Sequence, residues 1–145
     1  MFDKILVAVD GSQGALDALQ VAIEIQQKFD SELLLLCVYR HHSLLEASMS
    51  MVRPEEPKSL DTSMEDYASE VIKQAKAQAE QSGAKKLRGF IKAGPPARTI
   101  VKFSKDRQAN LIVLGSRGLG DIEGYLLGSV SHKVTSLADC PVLVV

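Results

Sequence analysis

Lys4-Ile5-Leu6-Val7-Ala8-Val9, followed at once by Asp10-Gly11-Ser12, is the stretch whose reading decides the fold. An apolar, partly β-branched run with no polar alternation predicts a strand covered on both faces, the habit of parallel sheets. Runs of the same kind recur at 33–39, 87–93, 111–114 and 142–145, the third being the weakest. Helical patterns lie between them. From Ser12, a predicted N-cap, apolar residues fall at Ala15, Leu16, Leu19, Ala22, Ile23 and Phe29, one face of a helix. From Ser63, with Asp66 three residues on as a capping-box variant, come Tyr67, Ala68, Val71, Ile72, Ala75 and Ala79. Gly94-Pro95-Pro96 ends a strand and opens a helix with proline in its first turn, turning Ile100, Val101 and Phe103 inward. The last helix reads from Ser129 through Val130, Val134, Leu137 and Ala138, and is halted before Pro141.

Strict alternation of buried strands and helices predicts an α/β fold with a doubly wound parallel sheet and right-handed crossovers. The 145 residues fit a single domain spanning 1–145. Residues 41–60, with Pro54 and Pro57 and no period, stand outside the pattern. They read either as an excursion over a ligand or as a tolerated insertion.

Composition narrows the function. Lys and Arg total 17 against 18 Asp and Glu, so the formal charge of −1 lacks the basic excess of a nucleic-acid binder. Any bound anion must be held by local geometry. The longest apolar run, 33–39, falls far short of the ~20 residues of a membrane span. The start carries Asp3 and only a short apolar run, unlike a secretion signal. Cys37 and Cys140 have neither C-x-x-C spacing nor a histidine pattern, so the expectation is a reducing, cytoplasmic setting.

In open α/β sheets the ligand sits outside the carboxyl ends of the strands, where the winding reverses. Two loops at such ends are unusual. One is Asp10-Gly11-Ser12; the other runs from Gly115 to Ser129 and holds five of the ten glycines. Glycine permits positive φ and close backbone approach, and successive N–H groups then form a nest for phosphate oxygens. Gly128-Ser129 leads into the last helix, whose amino end favours an anion; Ser129 offers a hydroxyl and Arg117 a forked cation.

Familiar phosphate motifs fail. Gly115 and Gly120 have P-loop spacing, but Asp121-Ile122 replaces the Lys-Ser/Thr pair. Gly118-x-Gly120 continues to Glu123 where a dinucleotide fingerprint requires glycine. Asp10-Gly11-Ser12-Gln13-Gly14 is a poor flavin-phosphate loop, and Lys92-Ala93 offers no aspartate of the receiver type.

Gly115-x2-Gly118-x9-Gly128-Ser129 remains, with residues 5–12 at the start and 126–134 and 140–145 at the end. Together, in this order, these blocks resemble the universal stress protein family in its ATP-binding branch, over essentially the whole chain. The resemblance implies a Rossmann-like five-stranded sheet of order 3-2-1-4-5, helices on both faces, and ATP or AMP as ligand. By it, Asp10 contacts the ribose or metal-bound water, and the backbones of Ala8 and Val38 touch adenine. Gly115, Arg117, Gly118, Gly128, Ser129, Val130 and Ser131 line the phosphates, with Val9 and Leu114 completing the set at the strand ends. Mg2+ enters through the phosphates. The terminal strand 142–145, apolar and without gatekeeping charge, then lies at an edge, and a homodimer paired through it is implied.

Plainer readings stand beside these. Cys37 reads as a small core residue. With that strand order, Cys37 and Cys140 lie three strand spacings apart, roughly 14 Å, beyond the ~7 Å reach of a disulfide. His41-His42 lacks partners for a metal, and His132 reads as a surface histidine. Asp10 serves either as a cap for the first helix or as a site residue. No P-loop lysine, Ser-His-Asp order or pair of carboxylates stands near the loops. The expectation is therefore a nucleotide-binding regulator, with slow ATP hydrolysis, α-phosphate cleavage or a nucleotide-free interaction module as the alternatives.

Overall fold

The computed structural model describes residues 1–40, 57–118 and 127–145. In chain order these form β1 (Lys4–Ala8), α1 (Gln13–Phe29), β2 (Glu32–Tyr39), α2 (Pro57–Gln81), β3 (Leu87–Ala93), α3 (Pro96–Arg107), β4 (Leu111–Leu114), α4 (Ser129–Leu137) and β5 (Val142–Val144). All strand pairs are parallel, in the order β3-β2-β1-β4-β5. The winding reverses between β1 and β4, which pair with Val7 opposite Val113.

Alternate side chains of each strand feed two cores. Ile5, Val7, Leu33, Leu35, Cys37, Leu111 and Val113 pack against α1 and α2. Leu6, Leu34, Leu36, Ile112 and Leu114 pack against α3 and α4. β1 and β2 are therefore apolar on both sides, and burying each such Leu, Ile or Val contributes about 1.5–3 kcal/mol. Phe103 is buried, as its helical spacing predicts, and packs on Phe90 with ring centres 5.0 Å apart.

Three departures have physical causes. α2 begins at Pro57, six residues before Ser63, because proline's missing N–H and fixed φ suit a helix start. The patternless stretch accordingly ends by residue 56; 41–56, including His41 and His42, lies outside the described residues. Phe29 continues the inward stripe of α1 but is 44% exposed, set edge-on to Phe2 at 5.3 Å. The polar Gln26, unremarked in the apolar pattern, is buried and donates through Nε2 to the carbonyls of Ser31 (3.1 Å) and Lys85 (2.5 Å). It thereby ties the end of α1 to the approach to β3.

Among the described residues, no helix is long and apolar enough to cross a membrane.

Candidate functional site

The chain leaves β1 through a turn built by its own side chains. Asp10 Oδ1 accepts from the Ser12 N–H (2.9 Å) and hydroxyl (2.5 Å), and Ser12 Oγ accepts from Ala15 N (3.2 Å) to cap α1. Gly11 takes φ +88°, and a Cβ there would lie 2.7 Å from Tyr67 Oη. Tyr67, read from the sequence as an apolar-face residue, is half exposed and donates its hydroxyl to the Asp10 carbonyl at 3.2 Å. Asp10 thus both organises the turn and lines the crevice beyond it.

The loop after β4 presses directly on α1. A Cβ on Gly115 would sit 2.8 Å from the Gly14 carbonyl carbon and 3.2 Å from Ala15 N; one on Gly14 would sit 2.8 Å from the Arg117 carbonyl oxygen. Backbone meets backbone here, so glycine is required by contact. Positive φ, the other reason a glycine cluster suggests, does not apply at Gly128, whose φ is −74°.

Gly128 is the N-cap of α4 and supplies no side chain to its first turn, and no acidic residue occupies that turn. The leading N–H groups of α4 are left with the positive end of the helix dipole. Ser116 anchors the arrangement. Its N–H donates to the Val145 carbonyl (2.7 Å), while its own carbonyl accepts from Gly128 N (2.5 Å) and the Ser131 hydroxyl (2.8 Å). Ser131 is buried and also donates to Gly128 O at 3.1 Å, so its hydroxyl clamps the loop.

These parts surround one crevice of about 240 Å³ at the carboxyl ends of β1, β2 and β4. Its walls bring together Ala8, Val9, Asp10, Val38, Leu114 and Gly115 with Arg117, Gly118, Ser129, Val130 and Ser131. Of the twelve residues singled out from the sequence, only Gly128 is not on the wall; it is buried behind it. Gly120 and the rest of 119–126 lie outside the described residues. Ser12, Ala15, Leu36, Arg40, Pro96 and Ile100 complete the lining and were missed. For Arg40 a signal existed: it is the first residue past the second apolar run, at the carboxyl end where ligands sit. Pro96 and Ile100 reach the wall only through packing of α3 on the sheet.

The chemistry of the wall is spare. Asp10 is its one acidic residue among the described residues, and no histidine or lysine lines it. Nor do the described residues hold any group of three or more His, Cys, Asp or Glu suited to a metal. Cys37 is buried, and burial, helped by the Asp10 charge, pushes its thiol up to about 11. It is a protonated core residue at neutral pH. Cys140 is half-buried, 3.6 Å from Ser104 Oγ, and both cysteines are free.

The sequence and fold have close counterparts. The model of the universal stress protein family matches residues 1–145. Universal stress protein YxiE of Bacillus subtilis is 34% identical, covering all of this chain and 99% of its own. The solved structure of universal stress protein UspA from Lactobacillus plantarum superposes with a TM-score of 0.85 at 26% identity, over 99% of this chain and 97% of that one. A universal stress protein solved in complex with cAMP gives a TM-score of 0.73 at 27% identity, again over 99% and 97%. A family match from end to end, on a sheet of order 3-2-1-4-5, establishes that the chain belongs to the universal stress protein family.

Proposed function

We propose that the crevice holds an adenine nucleotide, ATP or AMP, and that the chain serves as a cytoplasmic stress-response regulator rather than an efficient enzyme. One observation carries the reading: α4 opens onto the crevice, which Asp10 also lines, with neither a capping side chain nor an acid in its first turn. A phosphate group satisfies those donors. Ser129 and Val130 N–H, the Ser129 hydroxyl, the Gly115–Gly118 backbone and Arg117 hold the phosphates, with Ser131 and Gly128 fixing the loop. Asp10 takes the ribose hydroxyls or water on a phosphate-bound Mg2+, and the strand ends at Ala8, Val9, Val38 and Leu114 frame the base. Three or four charge-assisted hydrogen bonds at about 1.5–3 kcal/mol each, plus burial of the base, reach the roughly −8 kcal/mol of a micromolar site. The related chain solved with cAMP supports an adenine nucleotide as the class of ligand.

Calorimetry with ATP and AMP in Mg2+ tests this. Wild type binds with a Kd on the order of 1 μM, Ser129→Ala weakens binding roughly tenfold, and Gly118→Val weakens it further by filling the crevice. No heat with wild type, or unchanged affinity in both variants, overturns the proposal. Slow hydrolysis and α-phosphate cleavage are separated from binding by products: ADP marks the first, AMP with pyrophosphate the second, and retained nucleotide the regulator.

The same reading includes a homodimer. β5 is the edge strand of the sheet, and Val142, Leu143, Val144 and Val145 are each only partly buried in the single chain. Two-fold pairing of β5 covers that edge. Sedimentation at micromolar concentration gives a species of twice 15.7 kDa; a 15.7 kDa species alone rejects the dimer.

A further inference from the structure

A second cavity, of about 390 Å³, lies between the first turn of α3 and the outer side of α4. It shares Arg40, Pro96, Ser129 and Val130 with the crevice, so the two adjoin along those residues. Past the shared residues its wall carries Arg98, His132 and Lys133, and no acidic residue lines it among the described residues. In a chain of formal charge −1 this is a marked local imbalance. A second helix also points its positive end here: α3 has Pro95 at its N-cap with no side-chain hydrogen bond, and no acid in its first turn. Arg98 and Lys133 stand apart from the described ion pairs, whose cations are Lys4, Lys86, Arg88, Lys102 and Lys105. Leu137 and Ser136 line it as well. Leu137, 48% exposed, lies eight residues along α4 from Ser129, a rise of roughly 12 Å.

We infer that this groove receives the outer half of a nucleotide whose phosphate chain is extended and capped by a second nucleoside, a dinucleoside polyphosphate. The inference rests on the nucleotide reading of the adjoining crevice and specifies its ligand. The phosphate chain leaves the amino end of α4 at Ser129, passes Arg40, and runs between Arg98 on one side and His132 and Lys133 on the other. The second base then covers Leu137. The shared residues at the phosphate end of the crevice and the cations lining the groove beyond them favour this ligand over an acidic protein segment.

The test is calorimetry on the full chain with AMP, ATP and diadenosine tetraphosphate, for wild type and for the Arg98→Ala/Lys133→Ala double variant, whose changed residues do not line the crevice. Wild type binds the tetraphosphate about tenfold more tightly than ATP, because its fourth phosphate and second nucleoside meet groups that ATP does not reach. The double variant erases that preference and leaves ATP and AMP affinities within about twofold of wild type. Equal affinity for ATP and the tetraphosphate, or a preference that survives the double substitution, overturns the groove assignment and leaves the nucleotide site standing. A glutamate-rich peptide that binds wild type but not the double variant, with no preference for the tetraphosphate, assigns the groove to a protein segment and overturns it equally. If neither ATP nor AMP binds, the nucleotide reading itself fails and takes this inference with it.

Discussion

Ser129→Asp should leave the protein slightly more heat-stable while cutting ATP affinity about a hundredfold. The two effects have opposite signs because one feature drives both. α4 begins at Ser129 with an empty cap, so a carboxylate there meets the positive end of the helix. That favours the fold by about 0.3–1 kcal/mol, or roughly 1–3 °C in Tm for a domain this size. The same carboxylate removes the hydroxyl donor and opposes the phosphates. At 4 Å and an effective dielectric of 20, two unit charges repel by about 4 kcal/mol, and solvent screening at this exposed position reduces the figure. Loss of about 2.7 kcal/mol, a hundredfold, is the scale expected. Thermal denaturation and calorimetry read the two outcomes separately. A gain in Tm with unchanged ATP affinity would show that phosphates do not use this helix end.

Gly115→Ala carries the second large effect. The added methyl lands 2.8 Å from a carbonyl carbon, 2.9 Å from its oxygen and 3.2 Å from an amide nitrogen, all main chain of α1's first turn. No side chain can swing aside, so the loop after β4 must move bodily. Overpacking of this kind costs about 2–3 kcal/mol, which lowers Tm by roughly 5–10 °C, and nucleotide affinity falls with it because Arg117 and Gly118 travel with the loop. Gly14→Ala makes the reciprocal clash with the Arg117 carbonyl but regains about 1 kcal/mol of helix propensity, so its loss is smaller. Since both methyls prise apart one contact, the double variant loses less than the two single losses together. Strict additivity, or an unchanged Tm for Gly115→Ala, rejects the contact as a determinant of the fold.

The strands were legible because burial on both faces leaves a plain mark: Ile5-Leu6-Val7 and Leu33-Leu34-Leu35-Leu36 have no polar residue to alternate with, and they form the centre of the sheet. Capping chemistry was equally local, which is why Ser12 and Pro96 open α1 and α3 as read. The start of α2 was not legible, because Pro57 is compatible with either a loop or a first helical turn. Glycine spacing and strand ends pointed to Asp10 and to the loop from Gly115 to Ser129; Ala8, Val9, Val38, Leu114, Val130 and Ser131 were named only through the family resemblance. Pro96 and Ile100 could not be named, since they join the wall through the packing of α3 on the sheet, whereas Arg40 stood in plain view at the carboxyl end of β2. The Gly14–Gly115 contact was invisible for a deeper reason: two glycines a hundred residues apart carry no mark of touching.

That separation has a consequence for biosynthesis. Asp10 and Gly115, which both line the crevice, are 105 positions apart in the chain, and Lys4 N–H bonds to the Asn110 side chain across a span of 106. The ribosome emits the Asp10 part of the lining long before the Gly115 part. A nascent chain therefore has nothing with which to grip a ligand until its last quarter has emerged and inserted β4 beside β1. A nucleotide bound as proposed would fasten the earliest and latest segments together and lower the population of every partly opened form by mass action. Occupancy is thereby a certificate of completed folding.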